Sequence, residues 1–291
     1  MVTVNGNGSA WNGGVPHADR LDPADIPVVI LAGGMGTRLR EETERIPKPL
    51  VDIGGKPILW HIMKLYGHYG FRHFIICLGY KGRLIKEFFL RYREHVCDFT
   101  LDMSNGHEPE FLNDHGDEEW TVTCAETGLD TATGGRLFKV RHLIDADTFM
   151  FTYGDGLADL DIGALLDFHY EQGRMGTVTG ARPTSRYGEM SVYGNRVAEF
   201  NEKPTSSEGF VSGGFFVFQR EFLGYLTPDP GLFFEHAPLR SLARDGELSV
   251  YPHNGFWMGM DTYRELVELN RLWSEGRPPW KAWHEAPVRV A

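Results

Sequence analysis

The 291 residues include 29 Lys+Arg against 40 Asp+Glu, a net charge of −11. That balance excludes a general nucleic-acid surface, which carries a basic face, and disfavours an anionic membrane surface. A chain of this length buries a sizeable core without disulfides; its 35 glycines, roughly 12% against a usual ~7%, point instead to backbone-lined sites.

Residues 1–27 are rich in Gly, Asn and Pro and lack both a basic and an apolar stretch of signal-peptide type. They read as a disordered or loosely held leader, with one domain over 28–291. Val28-Val29-Ile30-Leu31-Ala32 suits a buried parallel strand, and a glycine-rich turn follows. Helical spacing marks 58–69, 74–78 reads as a second strand, and 81–93 as a second helix. This order is the mark of a doubly wound α/β sheet. Residues 97–127 differ: two strands flank an acidic, polar stretch. They read as a hairpin-like excursion, either a surface loop, which the sequence favours, or an oligomer contact.

The α/β pattern then resumes. Helix is expected over 134–143 and 162–171. Strands are expected over 148–153, 177–181, 189–193, 197–201, 213–218 and 248–252. An interrupted helical stretch covers 220–246, and a last helix 262–275. Trp273, Trp280 and Trp283 lie within eleven positions, a density that suits core or interface packing. No apolar run reaches the ~18 residues that a transmembrane helix needs. Cys77, Cys97 and Cys124 have no zinc-type spacing and read as reduced thiols of a cytoplasmic protein.

The chemistry concentrates in few segments. Leu31 and Ala32 lead into Gly33, Gly34 and Gly36, then Thr37 and Arg38. Without Cβ atoms, these glycines let backbone N–H groups approach an anion or a base. Arg38 offers a fork of donors for phosphate oxygens. Lys48, between Pro47 and Pro49, sits on a stiff segment that can hold an ammonium in place. The loop lacks the Gly-Lys-Ser/Thr of a P-loop and the spacing of a dinucleotide-binding turn.

GGMGTR followed by PKP resembles the sugar-1-phosphate nucleotidyltransferases. Together with TGLDTATGGRLFKV, FTYGDGLADLDI, NEKP, SGGFFVF and GFWMGMDTYREL, it resembles in particular the glucose-1-phosphate cytidylyltransferases, colinearly from about Val28 to Trp283. The resemblance implies a Rossmann-like, mostly parallel sheet and transfer of CMP from CTP to a sugar 1-phosphate, foremost α-D-glucose 1-phosphate. It implies Arg38, Lys48 and Asp155 as catalytic residues, and Asp155 with Asp261 as holders of Mg²⁺. Thr131 and Arg136 join residues 31–37 in binding nucleotide, although Arg136 could instead be a structural ion-pair partner. Glu202, Lys203, Gly213 and Gly214 would bind the sugar phosphate. A homo-oligomer, with a hexamer among the options, is also implied.

Two departures fall near the expected sugar site: Ser212 where the bacterial glucose enzymes carry Asn, and Met258-Gly259 where they carry Gln-Pro. Another NTP, a modified hexose or a heptose 1-phosphate therefore stays open. A catalytically inactive regulatory subunit of the same fold is a different class of answer; the presence of Arg38, Lys48, Asp155 and Asp261 argues against it.

Overall fold

The computed structural model describes residues 20–104, 108–112, 118–182, 189–193, 196–201 and 209–283, with the backbone alone for residues 40, 41, 189–193 and 196–201. Its elements run β1 (Val28–Ala32), α1 (Ile58–His68), β2 (His73–Leu78), α2 (Gly82–Leu90), β3 (Thr121–Glu126), α3 (Thr133–Val140), β4 (Thr148–Tyr153), β5 (Gly156–Ala158), α4 (Ile162–Gln172), β6 (Gly176–Ala181), β7 (Val211–Gln219), α5 (Ala237–Arg244), β8 (Leu248–His253), β9 (Trp257–Gly259) and α6 (Tyr263–Ser274). Seven strands form one sheet in the order β8-β6-β7-β4-β1-β2-β3. All pairings are parallel except the two that β7 makes, with β6 and β4. The expected mostly parallel Rossmann-like sheet is therefore the fold.

Alternation along the strands divides the core. Val28, Ile30 and Met150 pack with α1, α4 and α6, whereas Val29, Phe149 and Phe151 pack with α3 and α5. Both faces are apolar because both are covered. The chain runs β1, β2, β3 outward, then returns to lay β4 on the other side of β1. The carboxyl ends of β1 and β4 thus flank a switch in winding direction, the place where open α/β sheets bind ligands. Antiparallel β7 brings its amino end to the same edge, where Phe215 pairs with Thr152.

Several expectations are corrected. The helix expected over 81–93 breaks at Arg91 (φ −112°, ψ 27°), and Tyr92–Val96 forms a separate short helix. The excursion is smaller than expected. Phe99–Thr100 pairs with Glu110–Phe111, but Thr121–Glu126 joins the main sheet beside β2. Its alternating half-buried residues suit an edge strand. Residues 20–27, read as the end of the leader, are packed: Ile26 is fully buried and Arg20 pairs with Asp167. Asp161 caps α4 through the Ala164 N–H, as a helix-start residue should. Asp159 instead lies 3.0 Å from His253 Nε2, which bonds the Phe256 carbonyl. Glycine is required at position 54, where φ is +62° and a Cβ would lie 1.8 Å from the Trp273 ring.

Two helix histidines are core residues. His61 lies among Trp60, Trp273, Trp280 and Trp283. Its Nε2 donates to the Ile53 carbonyl and its Nδ1 accepts from Trp280 Nε1. His169 Nδ1 bonds Thr177 Oγ1 and its Nε2 faces the Gln219 amide nitrogen. Burial pushes both imidazoles down to about 4 from 6.5. A second ring proton would also meet an N–H donor in each case. Between pH 6.5 and 4 the unfolded chain takes up protons that the folded chain refuses, so stability falls with pH across that window. By pH 5 each histidine should cost about 2 kcal/mol. Thermal melts should show a marked Tm drop from pH 7 to 5, reduced in the His61→Gln/His169→Gln variant. A flat profile would contradict this account.

Candidate active site

The residues after β1 and β4 meet those before α6. Lys48, on a short 3₁₀ turn started by Pro47, points its Nζ between two carboxylates: 2.7 Å from Asp155 Oδ2 and 2.8 Å from Asp261 Oδ1. Arg38 Nη1 lies 3.1 Å from the other Asp261 oxygen, Oδ2. Four residues spread over 223 positions thus converge on one point. Asp155 follows β4 after one glycine, Gly154. Asp261 is held from behind: its N–H and that of Thr262 both donate to Glu265, within the capping box that starts α6.

The electrostatics differ across this cluster. The Lys48 side chain is 11% exposed, whereas Asp155 and Asp261 are 37% and 31% exposed and Arg38 is 73% exposed. Burial pulls the Lys48 ammonium down, but the charges and hydrogen bonds of Asp155 and Asp261 outweigh it, so its pKa sits above the ordinary value. Lys48 is a fixed cation. Arg38 is an exposed one, with donors beyond its Asp261 contact available to solvent or a ligand.

A cleft of about 750 Å³ opens beside this cluster, between residues 33–38 on one side and 129–136, 212–215 and 231–235 on the other. A smaller recess of about 230 Å³ continues from it under Leu31, Ala32, Gly36, Thr37 and Lys48. Residues 31–38, Asp155, Asp261, Gly213 and Gly214 are therefore brought together around these two cavities. Gly214 needs to be glycine: φ is +80° and a Cβ would sit 2.7 Å from the Tyr153 ring. Glu202 and Lys203 lie outside the described residues.

Thr131 and Arg136 border the cleft but direct their hydrogens inward. Arg136 Nη1 donates to the carbonyls of Leu78 and Gly128 and to Thr127 Oγ1; Nη2 reaches the carbonyls of Gly33 and Leu129. The ion pair considered for Arg136 is replaced by these bonds. Thr131 Oγ1 donates to the Thr127 carbonyl and accepts from Lys139. Arg136 fastens the 127–131 loop to the Gly33 turn, and Thr131 closes that loop on itself and on Lys139.

Tyr153 and Glu235 also border the cleft and were not singled out from sequence. Glu235 accepts from the Tyr153 hydroxyl at 2.6 Å and from Thr133 Oγ1 at 2.7 Å. Burial and the Glu235 charge hold the Tyr153 hydroxyl protonated, well above its ordinary pKa. Tyr153 could have been noticed as the residue opening Tyr-Gly-Asp-Gly. Glu235 stands in no motif, 82 residues from its tyrosine partner. Trp257 Nε1 donates to the Gly213 carbonyl at 2.7 Å and closes the far wall.

Among the described residues no three His, Cys, Asp or Glu gather as a metal site, and no helix is long and apolar enough to cross a membrane. Asp155 and Asp261 nevertheless share one cation already, the Lys48 ammonium. Two carboxylates open to a cleft suit a divalent ion whose other ligands are phosphate oxygens and water.

Known proteins resemble this chain in sequence and in fold. A protein of Bacillus subtilis (strain 168), named as a probable glucose-1-phosphate cytidylyltransferase, is 48% identical over 89% of this chain and all of its own length. The glucose-1-phosphate cytidylyltransferase of Salmonella typhimurium (strain LT2) is 46% identical over 89% of this chain and all of its own length. The crystal structure of HddC from Yersinia pseudotuberculosis aligns with TM-score 0.59 at 22% identity, over 85% of this chain and 99% of its own, a likeness of fold. A family model for nucleotidyl transferases matches residues 27–274, and the chain belongs to that family.

Proposed function

We propose that this protein transfers CMP from CTP to α-D-glucose 1-phosphate, giving CDP-glucose and pyrophosphate. The observation that carries the reading is the convergence of Lys48, Asp155, Asp261 and Arg38 at the mouth of a glycine-walled cleft. The relatives named above, matched over their full length at 46% and 48% identity, supply the base and the sugar.

A phosphate oxygen of the sugar 1-phosphate attacks the α-phosphorus of CTP. The α–β phosphoanhydride P–O bond breaks, and pyrophosphate leaves with the electron pair. The nucleophile is already an anion, so no side chain need accept a proton. The difficulty is to hold two polyanions in line, and positioning of this kind lowers a barrier by up to ~7–11 kcal/mol in intramolecular models. Residues 31–37 present backbone to the nucleotide, and Arg38 turns its donors onto the outer phosphates. Lys48 sets a buried positive charge beside the bond that breaks. Asp155 and Asp261 would hold Mg²⁺, which when bound supplies Lewis-acid charge neutralisation. Thr131 and Arg136 act on the nucleotide through the loop they fasten. Gly213, Gly214, Glu202 and Lys203 receive the sugar phosphate, the last two by family position.

Solvent-facing apolar side chains at Leu90, Phe99, Met103 and Leu112, around the small excursion, support a homo-oligomer. Ser212, which lines the cleft and has one hydroxyl to offer, keeps a modified hexose as the second reading of the sugar. Pyrophosphate release should be measured for CTP, UTP, ATP, GTP and dTTP against glucose, other hexose and heptose 1-phosphates. CTP with glucose 1-phosphate should exceed every other pair. A tenfold preference for another base or sugar would replace this reading.

A further inference from the structure

Lys81 is the one non-glycine residue with positive φ (51°) among the described residues. It sits where β2 turns into α2, a site outside the cleft, and an αL lysine carries a steric cost. Its side chain gives the conformation a use. The ammonium donates to the carbonyls of Thr43 and Glu44, the former at 3.3 Å. The neighbouring Tyr80 hydroxyl reaches the same Thr43 carbonyl at 3.1 Å, and the ammonium lies 5.1 Å from the Tyr80 ring centre.

Thr43 passes this contact on. It is buried, and its hydroxyl is within bonding distance of the Gly36 carbonyl (3.1 Å) and the Leu39 carbonyl (2.9 Å). Gly36 has φ +60°, and a Cβ there would lie 2.8 Å from the Thr43 methyl group. The other end of the same turn is tied to the same corner, since the Tyr80 N–H donates to the Gly33 carbonyl at 3.1 Å. The two-residue corner Tyr80-Lys81 therefore grips the glycine turn at both ends, directly at Gly33 and through Thr43 at Gly36.

We infer that Lys81 is a positioning residue for the nucleotide: it holds Thr43, and through it the Gly36 turn and Arg38, in the shape that receives the triphosphate. This rests on the reading of residues 31–38 as the nucleotide loop. Charge-assisted bonds between an ammonium and two carbonyls are strong enough for their loss to matter about tenfold.

Lys81→Gly tests it, because glycine keeps the backbone turn and removes only the side chain. Calorimetric titration of wild type with CTP comes first; no binding there would overturn the nucleotide reading itself. Where wild type binds, Lys81→Gly should bind CTP about tenfold more weakly, with KM for glucose 1-phosphate within twofold and Tm within a few degrees. Lys81→Arg should recover part of the loss. Thr43→Val should weaken CTP binding similarly, and the double variant no more than either alone, since both lie on one path. Unchanged CTP affinity in Lys81→Gly would overturn the inference. So would an equal loss for both substrates alongside a large fall in Tm.

Discussion

Asp155→Asn should lower kcat by about 10³-fold, a loss of roughly 4 kcal/mol of transition-state stabilisation. The substitution keeps the shape and one acceptor oxygen but removes the charge, and the reason for so large an effect lies in how the site is populated. Asp155 and Asp261 are the two carboxylates at the cleft mouth that share a cation, and both share the same one. With Asp155 neutral, Asp261 alone must balance Lys48, Arg38 and an incoming divalent ion. The folded state should tolerate the change, because the Asp155 side chain is 37% exposed and its Lys48 contact is partly replaced by the asparagine oxygen. The readouts are steady-state kcat in Mg²⁺ and a thermal melt. A kcat within tenfold of wild type would remove Asp155 from the metal role; a collapsed melt would show instead that the residue serves folding. Asp261→Asn should behave likewise, with an added loss of the Arg38 contact at 3.1 Å.

The parts of this site legible in the sequence are those written in short segments. Strand β1 is a run of apolar residues ending in glycines, and Asp155 follows another such strand, so both could be placed at strand ends before any fold was known. Lys48 announces itself by its flanking prolines. What the sequence hides is direction. Arg136 lies in a glycine-rich loop and looks like a ligand-facing cation; only the folded chain shows its guanidinium spent on five protein acceptors. Glu235 and Tyr153 meet across 82 positions with no local pattern to join them. Lys81 is hidden for a different reason, because an αL lysine has no spacing signature and is revealed by its backbone angle alone. The excursion looks larger in the sequence than it is because the edge strand β3 alternates as a hairpin strand would; its parallel partner β2 lies 48 residues earlier at the paired positions His73 and Thr121.

Lys48→Met should lower kcat/KM by about 10²- to 10³-fold, the range found when one preorganised donor is removed from a developing charge. It should also change the free protein in a way that a simple phosphate-binding lysine would not. In the free protein the ammonium stands between Asp155 and Asp261, 2.7 and 2.8 Å from them, and so occupies the space between the carboxylates that a divalent ion would share. Its stem is confined: the position is 8% exposed, and a Cβ on Gly36 would come within 3.2 Å of the Lys48 Cβ. Deprotonation offers no escape, because the two carboxylates hold the ammonium charged above the usual lysine range. A divalent ion entering alone must then stand against a fixed cation, whereas one arriving with a triphosphate brings anionic oxygens that offset the charge of both. Wild type should therefore bind Mn²⁺ weakly until CTP is added, and Lys48→Met should bind Mn²⁺ appreciably without CTP, both readable by the loss of free-Mn²⁺ paramagnetic signal. Lys48→Arg should keep Mn²⁺ out, because the positive charge between the carboxylates remains, but should not restore kcat/KM, since a planar fork places its charge differently from a compact ammonium. Equal Mn²⁺ binding by wild type and Lys48→Met in the absence of CTP would show that the ammonium and the metal do not compete. The catalytic loss would then belong to the phosphate contact alone.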